Sequence, residues 1–243
     1  MNALLQFDQV DAGYGSVKIL KDLSFEVFEG EILGVIGPNG CGKTTMFNAL
    51  IGLIPVMKGN IRFKGHDVHQ LPAATRCRQG MGRTYQVPRP FEHMTVFENV
   101  LVAVVHGAGL SERQGRHVCR EALELTGLSD KREIMAGTLT LLDRKRLEIA
   151  RSLGSKPTLL MLDEVAAGLT DAEVRDVMRL VADLKAAGQT IIWIEHVIET
   201  MVKATDRLMC MSDGQALMIG EPRAVMYCKE VGECYLGAEE TSE

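Results

Sequence analysis

The chain has 243 residues, 46% of them hydrophobic and 24% charged, enough to bury a substantial core as one large domain or two lobes. Its net charge of −5 disfavours a protein that works through a broad basic face, as many nucleic-acid binders do. No apolar run reaches the roughly 20 residues that cross a bilayer, and Met1–Gln6 carries no stretch resembling a secretory leader.

From the N-terminus, patterning predicts short strands at Leu4–Val10, Lys18–Val27, Ile32–Ile36 and Asn60–Phe63, parted by turn signals at Ala12–Gly15 and Phe28–Gly30. Between the third strand and a helical pattern at Met46–Leu50 runs Gly37-Pro38-Asn39-Gly40-Cys41-Gly42-Lys43-Thr44-Thr45. That setting suits a phosphate-binding loop of the G-x-x-x-x-G-K-T type. Glycines let backbone N–H groups converge on phosphate oxygens, and the helix start adds partial positive charge. Lys43 is placed to reach the β- and γ-phosphates and the Thr44 hydroxyl to hold Mg²⁺. An ordinary glycine-rich turn is the plain alternative; the strand–loop–helix placement favours a nucleoside triphosphate.

From about Phe91 to Leu153 the pattern turns helical: Phe97, Val100, Leu101 and Val104 recur at helical spacing, as do Val118, Ala122, Leu125 and Leu128. After Pro157, two apolar strands at Thr158–Leu162 and Thr190–Ile194 enclose a helical stretch, Asp171–Ala187, the order expected of a buried parallel sheet. Asp213-Gly214 predicts a hairpin turn between Asp206–Met211 and Gln215–Ile219. The segment Gly237–Glu243 is small and acidic and is expected to be mobile.

The apolar stretch Leu159–Leu162 ends in Asp163 and Glu164. Ligands of parallel sheets gather at the carboxyl ends of strands, so Asp163 is a candidate Mg²⁺ ligand and Glu164 a candidate base for water. The strand Ile191–Ile194 is followed by Glu195 and His196, whose imidazole is expected to bridge a carboxylate and a γ-phosphate.

This order of motifs resembles the ATP-binding subunit of an ABC transporter over nearly the whole chain. The resemblance implies a P-loop NTPase α/β core with a parallel sheet, an N-terminal antiparallel β-subdomain and an inserted α-helical subdomain. It makes residues 1–86 and 157–236 the nucleotide-binding core and 87–156 the helical subdomain of a single ATPase domain. Tyr14 is similar to the residue that stacks on adenine. Gly37–Thr45 is similar to the Walker A loop and Leu159–Glu164 to Walker B. Gln86 resembles the glutamine that senses Mg²⁺ and water, Gly168-Leu169-Thr170-Asp171 the D-loop, and His196 the switch histidine. ATP and Mg²⁺ are the implied cofactors, with Lys43, Gln86, Glu164 and His196 catalytic and Thr44, Gln86 and Asp163 at the metal. The implied partners are membrane permease subunits, a second ATPase subunit and, indirectly, an extracytoplasmic solute-binding protein, with no nucleic acid. The implied location is the cytoplasmic face of the membrane. Gly82–Gln86, Met94–Asn99 and Arg146–Arg151 are similar to the ATPases of branched-chain amino acid importers.

One segment departs from the family. Where members carry a signature close to Leu-Ser-Gly-Gly-Gln, this chain has Leu139-Thr140-Leu141-Leu142-Asp143. In the family that helix start points at the γ-phosphate bound by the other subunit. Leu141 and Leu142 replace glycines that permit close approach, and Asp143 adds negative charge. Slow or conditional hydrolysis follows as an expectation, although Thr140-x-x-Asp143 also reads as a helix capping box. Val165 stands where proline is usual and is expected to loosen the turn slightly. A non-hydrolysing, nucleotide-sensing subunit and a soluble ATPase acting on nucleic acid or ribosomes are the alternatives.

Other residues are set aside. His66-Asp67-Val68-His69 reads as a solvated loop, and Lys131-Arg132 and Arg144-Lys145-Arg146 as solvated or helix-surface charges. Cys41, Cys77, Cys119, Cys210, Cys228 and Cys234 lack C-x-x-C spacing and read as reduced thiols. The thirteen methionines are dispersed core filling.

Overall fold

The computed structural model describes residues 3–239. Strands β1 (Ala3–Tyr14), β2 (Val17–Phe28) and β3 (Ile32–Ile36) precede helix α1 (Lys43–Leu50). Next come β4 (Val56–Phe63), β5 (His66–Asp67), α2 (Ala73–Arg78) and β6 (Met81–Arg83). Helices α3 (Val96–His106), α4 (Glu112–Leu125) and α5 (Leu141–Gly154) lead to β7 (Leu159–Asp163), α6 (Asp171–Ala186) and β8 (Thr190–Ile194). Then follow α7 (Ile198–Ala204), β9 (Arg207–Ser212), β10 (Gln215–Gly220), α8 (Pro222–Met226) and α9 (Lys229–Glu239). The chain divides into two compact units, one made of residues up to Arg76 together with Thr190 onward, the other Cys77–Gln189.

In the first unit, β1 pairs antiparallel with both β2 and β4, and β4 with β5. The first two strands are longer than alternation predicts. A register shift between Phe7 and Val10, with Gln9 at φ 50°, breaks the period of two, so the pattern past Val10 no longer reads as one strand. Gly59 is needed opposite this bulge, because a Cβ there would lie 2.3 Å from the Gln9 carbonyl oxygen.

The same unit holds β3 between β8 and β9, parallel to both. β3 and β8 are buried along their whole length, which explains why their sequences run apolar rather than alternating. β9 turns antiparallel into β10 through Asp213-Gly214, both at positive φ (48° and 80°), the geometry a two-residue hairpin requires. His66-Asp67, expected in a loop, instead forms β5 against Arg62 and Phe63.

In the second unit, β6 and β7 pair in parallel. Helices α3, α4 and α5 pack around Val96, Val100, Val104, Cys119, Leu123, Leu128 and Leu147, the predicted helical periodicity made physical. Thr95, Ser111 and Thr170 cap α3, α4 and α6 with full capping boxes. Gly237–Glu239, expected to be mobile, belong to α9; residues 240–243 of that expectation lie outside the described residues. No helix among the described residues is long and apolar enough to cross a membrane.

Candidate functional site

In the first unit, β3 delivers the chain into Gly37, where a Cβ would sit 2.3 Å from the Met211 carbonyl oxygen. Gly40 and Gly42 follow at φ 80° and 107°, so the loop takes a backbone path that side-chain-bearing residues avoid. Gly42 is the N-cap of α1 and supplies no side-chain cap, and no acidic residue lies in the first turn. The N-terminal N–H groups of this helix are therefore left for an external acceptor, which suits an anion. Lys43 is buried, its Nζ donating to the carbonyls of Gly37 (2.7 Å) and Pro38 (3.0 Å). This keeps the charge against the loop and exchangeable for phosphate oxygens. Asn39, Gly40 and Thr44 are exposed, and Thr45 is buried.

Cys41 anchors the loop through its backbone, donating to Pro38 O (3.3 Å) and accepting from Gly214 N–H (3.0 Å). Burial pushes its thiol pKa up, which keeps it protonated and unreactive. Tyr14 ends β1 half-exposed, with its hydroxyl accepting from Asn48 Nδ2 at 2.6 Å. Asn48 on α1 was not singled out by sequence, where it carries no motif. His196 follows β8 and is exposed.

In the second unit, the buried strand β7 ends on Asp163, and Glu164 takes a left-handed φ of 48° that turns the chain at the strand end. Two neighbours from one segment hold these carboxylates. Arg83 Nη2 donates to Asp163 Oδ2 at 2.8 Å, and Gln86 Nε2 donates to Glu164 Oε2 at 2.6 Å. Thr84 Oγ1 also accepts from the Asp163 N–H (3.1 Å). Lys145, expected as a solvated or helix-surface charge, is buried instead. Its Nζ donates to the carbonyls of Glu164 (2.9 Å) and Gln86 (3.4 Å), because α5 points it inward. Val165 is buried, filling the place of the usual proline.

The segment Leu139–Asp143 begins α5. Thr140 caps the helix by accepting from Asp143 N–H (3.3 Å), but the reciprocal half of the capping box is replaced. The Asp143 carboxylate is buried, accepts from the Thr140 hydroxyl (2.9 Å) and pairs with Lys131, with Arg146 at 3.9 Å. Asp143 thus carries a neutralised interior charge rather than free negative potential, and Lys131 and Arg146 are its structural partners rather than solvated cations. Arg144, likewise, donates to the carbonyls of Leu139 (3.1 Å) and Gly137 (2.7 Å). Leu141 is exposed (45%) and Leu142 half-buried.

Among the described residues no cluster of three or more His, Cys, Asp or Glu side chains is suited to hold a metal. Asp163 in the second unit offers a carboxylate and Thr44 in the first a hydroxyl, the oxygen donor types that suit Mg²⁺, an ion that keeps waters and takes phosphate oxygens.

Residues 20–167 match the family model described as ABC transporter. The chain is 34% identical over 249 residues to the high-affinity branched-chain amino acid transport ATP-binding protein BraF of Pseudomonas aeruginosa, covering 96% of this chain and 98% of that protein. It is 31% identical over 235 residues to the lipopolysaccharide export system ATP-binding protein LptB of Haemophilus influenzae, covering 97% and 98%. The crystal structure of an ATP-binding cassette of an ABC transporter in its ADP conformation superposes with a TM-score of 0.89 at 29% identity, covering 98% of this chain and all of that one.

Proposed function

The chain belongs to the ABC transporter family, and from that premise we propose that it powers import of a small organic solute of the branched-chain amino acid type. ATP-binding subunits of this family are ATPases that bind ATP with Mg²⁺, dimerise and act with membrane permease components, and this chain is such a subunit with the α/β fold of the cassettes. The import reading rests on Gly82–Gln86, Met94–Asn99 and Arg146–Arg151, together with the likeness to BraF. It places the chain on the cytoplasmic face of the membrane and makes a solute-binding protein an indirect partner.

The observation that carries the ATPase chemistry is the uncapped start of α1 with Lys43 buried against the loop carbonyls. In the proposed reaction, Tyr14 stacks on the base, while the N–H groups of Gly37–Thr45 and Lys43 bind phosphate oxygens. Thr44 and Asp163 would hold Mg²⁺, with Gln86 as the residue that senses it, and the ion would supply charge neutralisation for the phosphates. Glu164 orients and deprotonates the attacking water, and His196 contacts the γ-phosphate. Thr140–Asp143 is proposed to face the ATP of the second subunit.

The likeness to LptB favours a second reading, export of a lipid-linked glycan. Vesicles containing the chain with the permease subunits that co-purify with it decide between them: ATP-dependent uptake of a branched-chain amino acid supports import, and stimulation only by an envelope glycolipid supports export.

A further inference from the structure

Arg83 and Asp163 form an ion pair that the family motifs do not specify. Both side chains are only 5% exposed, and the Nη2–Oδ2 distance is 2.8 Å. Arg83 is held from two sides: its guanidinium lies over the Tyr85 ring, 5.0 Å from the centroid, and its carbonyl accepts from Ser152 Oγ at 2.7 Å. It is a fixed charge, not a swinging one. In a site shielded from water, a fixed guanidinium beside a carboxylate withdraws much of that carboxylate's attraction for a second cation, and repels the cation directly. Three residues further on, Gln86 holds Glu164.

We infer that Arg83 is a positioning residue that sets the affinity of the site for Mg²⁺ by sharing the Asp163 carboxylate with it. This rests on the proposed role of Asp163 as a magnesium ligand. The pair keeps Asp163 aimed when nucleotide is absent. It also weakens the metal site, so that Mg²⁺ is retained only when phosphate oxygens complete its coordination and is released with the product. Because Arg83 and Gln86 share one segment, loosening of the Arg83–Asp163 pair by metal is transmitted to the group that holds Glu164.

The test is the binding of Mn²⁺, as a magnesium probe, to the full chain saturated with ADP, followed by electron paramagnetic resonance. Arg83→Gln is expected to tighten Mn²⁺ binding about three- to tenfold, while Arg83→Lys, which keeps the charge, stays within about twofold of wild type. Unchanged or weaker binding in Arg83→Gln overturns the inference and leaves the nucleotide reading standing. Absence of ADP-dependent Mn²⁺ binding in the wild type overturns both. Should Arg83→Gln not fold, the wild type decides through its ¹⁵N-arginine spectrum, with the Arg83 signal assigned by its loss in Arg83→Lys. Movement of that signal when Mg²⁺ is added to the ADP complex supports the pair's response to metal, and an unmoved signal overturns it.

Discussion

Tyr14 and Asn48 show how an exposed aromatic side chain is kept in place without being buried. An aromatic ring at the exposed end of a strand has freedom about its side-chain torsions that any stacked base must remove. The 2.6 Å bond from Asn48 removes part of that freedom in advance. A hydrogen bond of this kind contributes about 1 kcal/mol. Asn48→Ala should therefore weaken binding of a fluorescent ATP analogue about fivefold while leaving kcat within twofold; a kcat loss as large as the binding loss would contradict a purely orienting role. Asn48 was illegible in the sequence because a polar residue on a short helix carries no spacing signal. Lys43, Asp163 and Glu164 stand out in the sequence because the chemistry proposed for them demands fixed neighbours: glycines before the lysine, an apolar strand before the carboxylates. Lys145 was misread for a related reason, since sequence alone does not say which face of α5 turns inward.

At the scale of elements, α1 is prepared at both ends. Its N-terminus is left open for an anion, while its C-terminal carbonyls are held by Arg76. That buried guanidinium donates to Ala49 O and Leu50 O (both 2.7 Å), Leu71 O (2.8 Å) and His69 O (2.8 Å). Burial lowers its pKa to about 10, and it stays charged at neutral pH. Arg76→Gln is expected to cost roughly 2–4 kcal/mol of stability in denaturant titration, because several carbonyls lose a charged donor together; a loss below about 0.5 kcal/mol would contradict the capping role.

Helix α5 carries the departure from the family signature. With Asp143 neutralised by Lys131, what remains at its start is the bulk of Leu141 and Leu142 in place of glycines. If this helix start faces the second subunit's ATP as proposed, Leu142→Gly should raise ATP turnover about tenfold or more, since letting a backbone N–H approach developing charge is worth about 3 kcal/mol. A rate within twofold of wild type would show that these leucines do not limit hydrolysis.

The same helix gives a pH prediction. Burial raises the Glu148 pKa above its ordinary 4.5, against the pull of Arg151 at 3.1 Å. A raised carboxylate pKa means that the folded state holds a proton the unfolded chain has released. That contribution to stability is complete below pH 4.5 and is lost as pH rises through the raised value. Glu148→Gln should flatten the fall in thermal stability across that window, and an unchanged slope would rule Glu148 out as its source.

For the whole molecule, the fold class was readable because fully apolar strands such as Ile32–Ile36 and Thr190–Ile194 mark a parallel sheet, and Asp213-Gly214 marks a hairpin. Short elements escaped: β5, α2 and β6 span two, six and three residues, too few for any period to register. The overlong β1 escaped because its bulge changes which face is buried. Each missed feature is one that tertiary pairing, rather than local pattern, creates.

The central claim is that this chain is an ATPase in which Lys43 binds phosphate and Glu164 activates water. Phosphate release from magnesium–ATP, measured beside equilibrium ATP binding for wild type, Lys43→Ala and Glu164→Gln, tests it most directly. The account predicts turnover in the wild type, ATP binding with turnover reduced at least about a hundredfold in Glu164→Gln, and loss of both in Lys43→Ala. Turnover in Glu164→Gln equal to wild type, or undiminished ATP binding by Lys43→Ala, would contradict it.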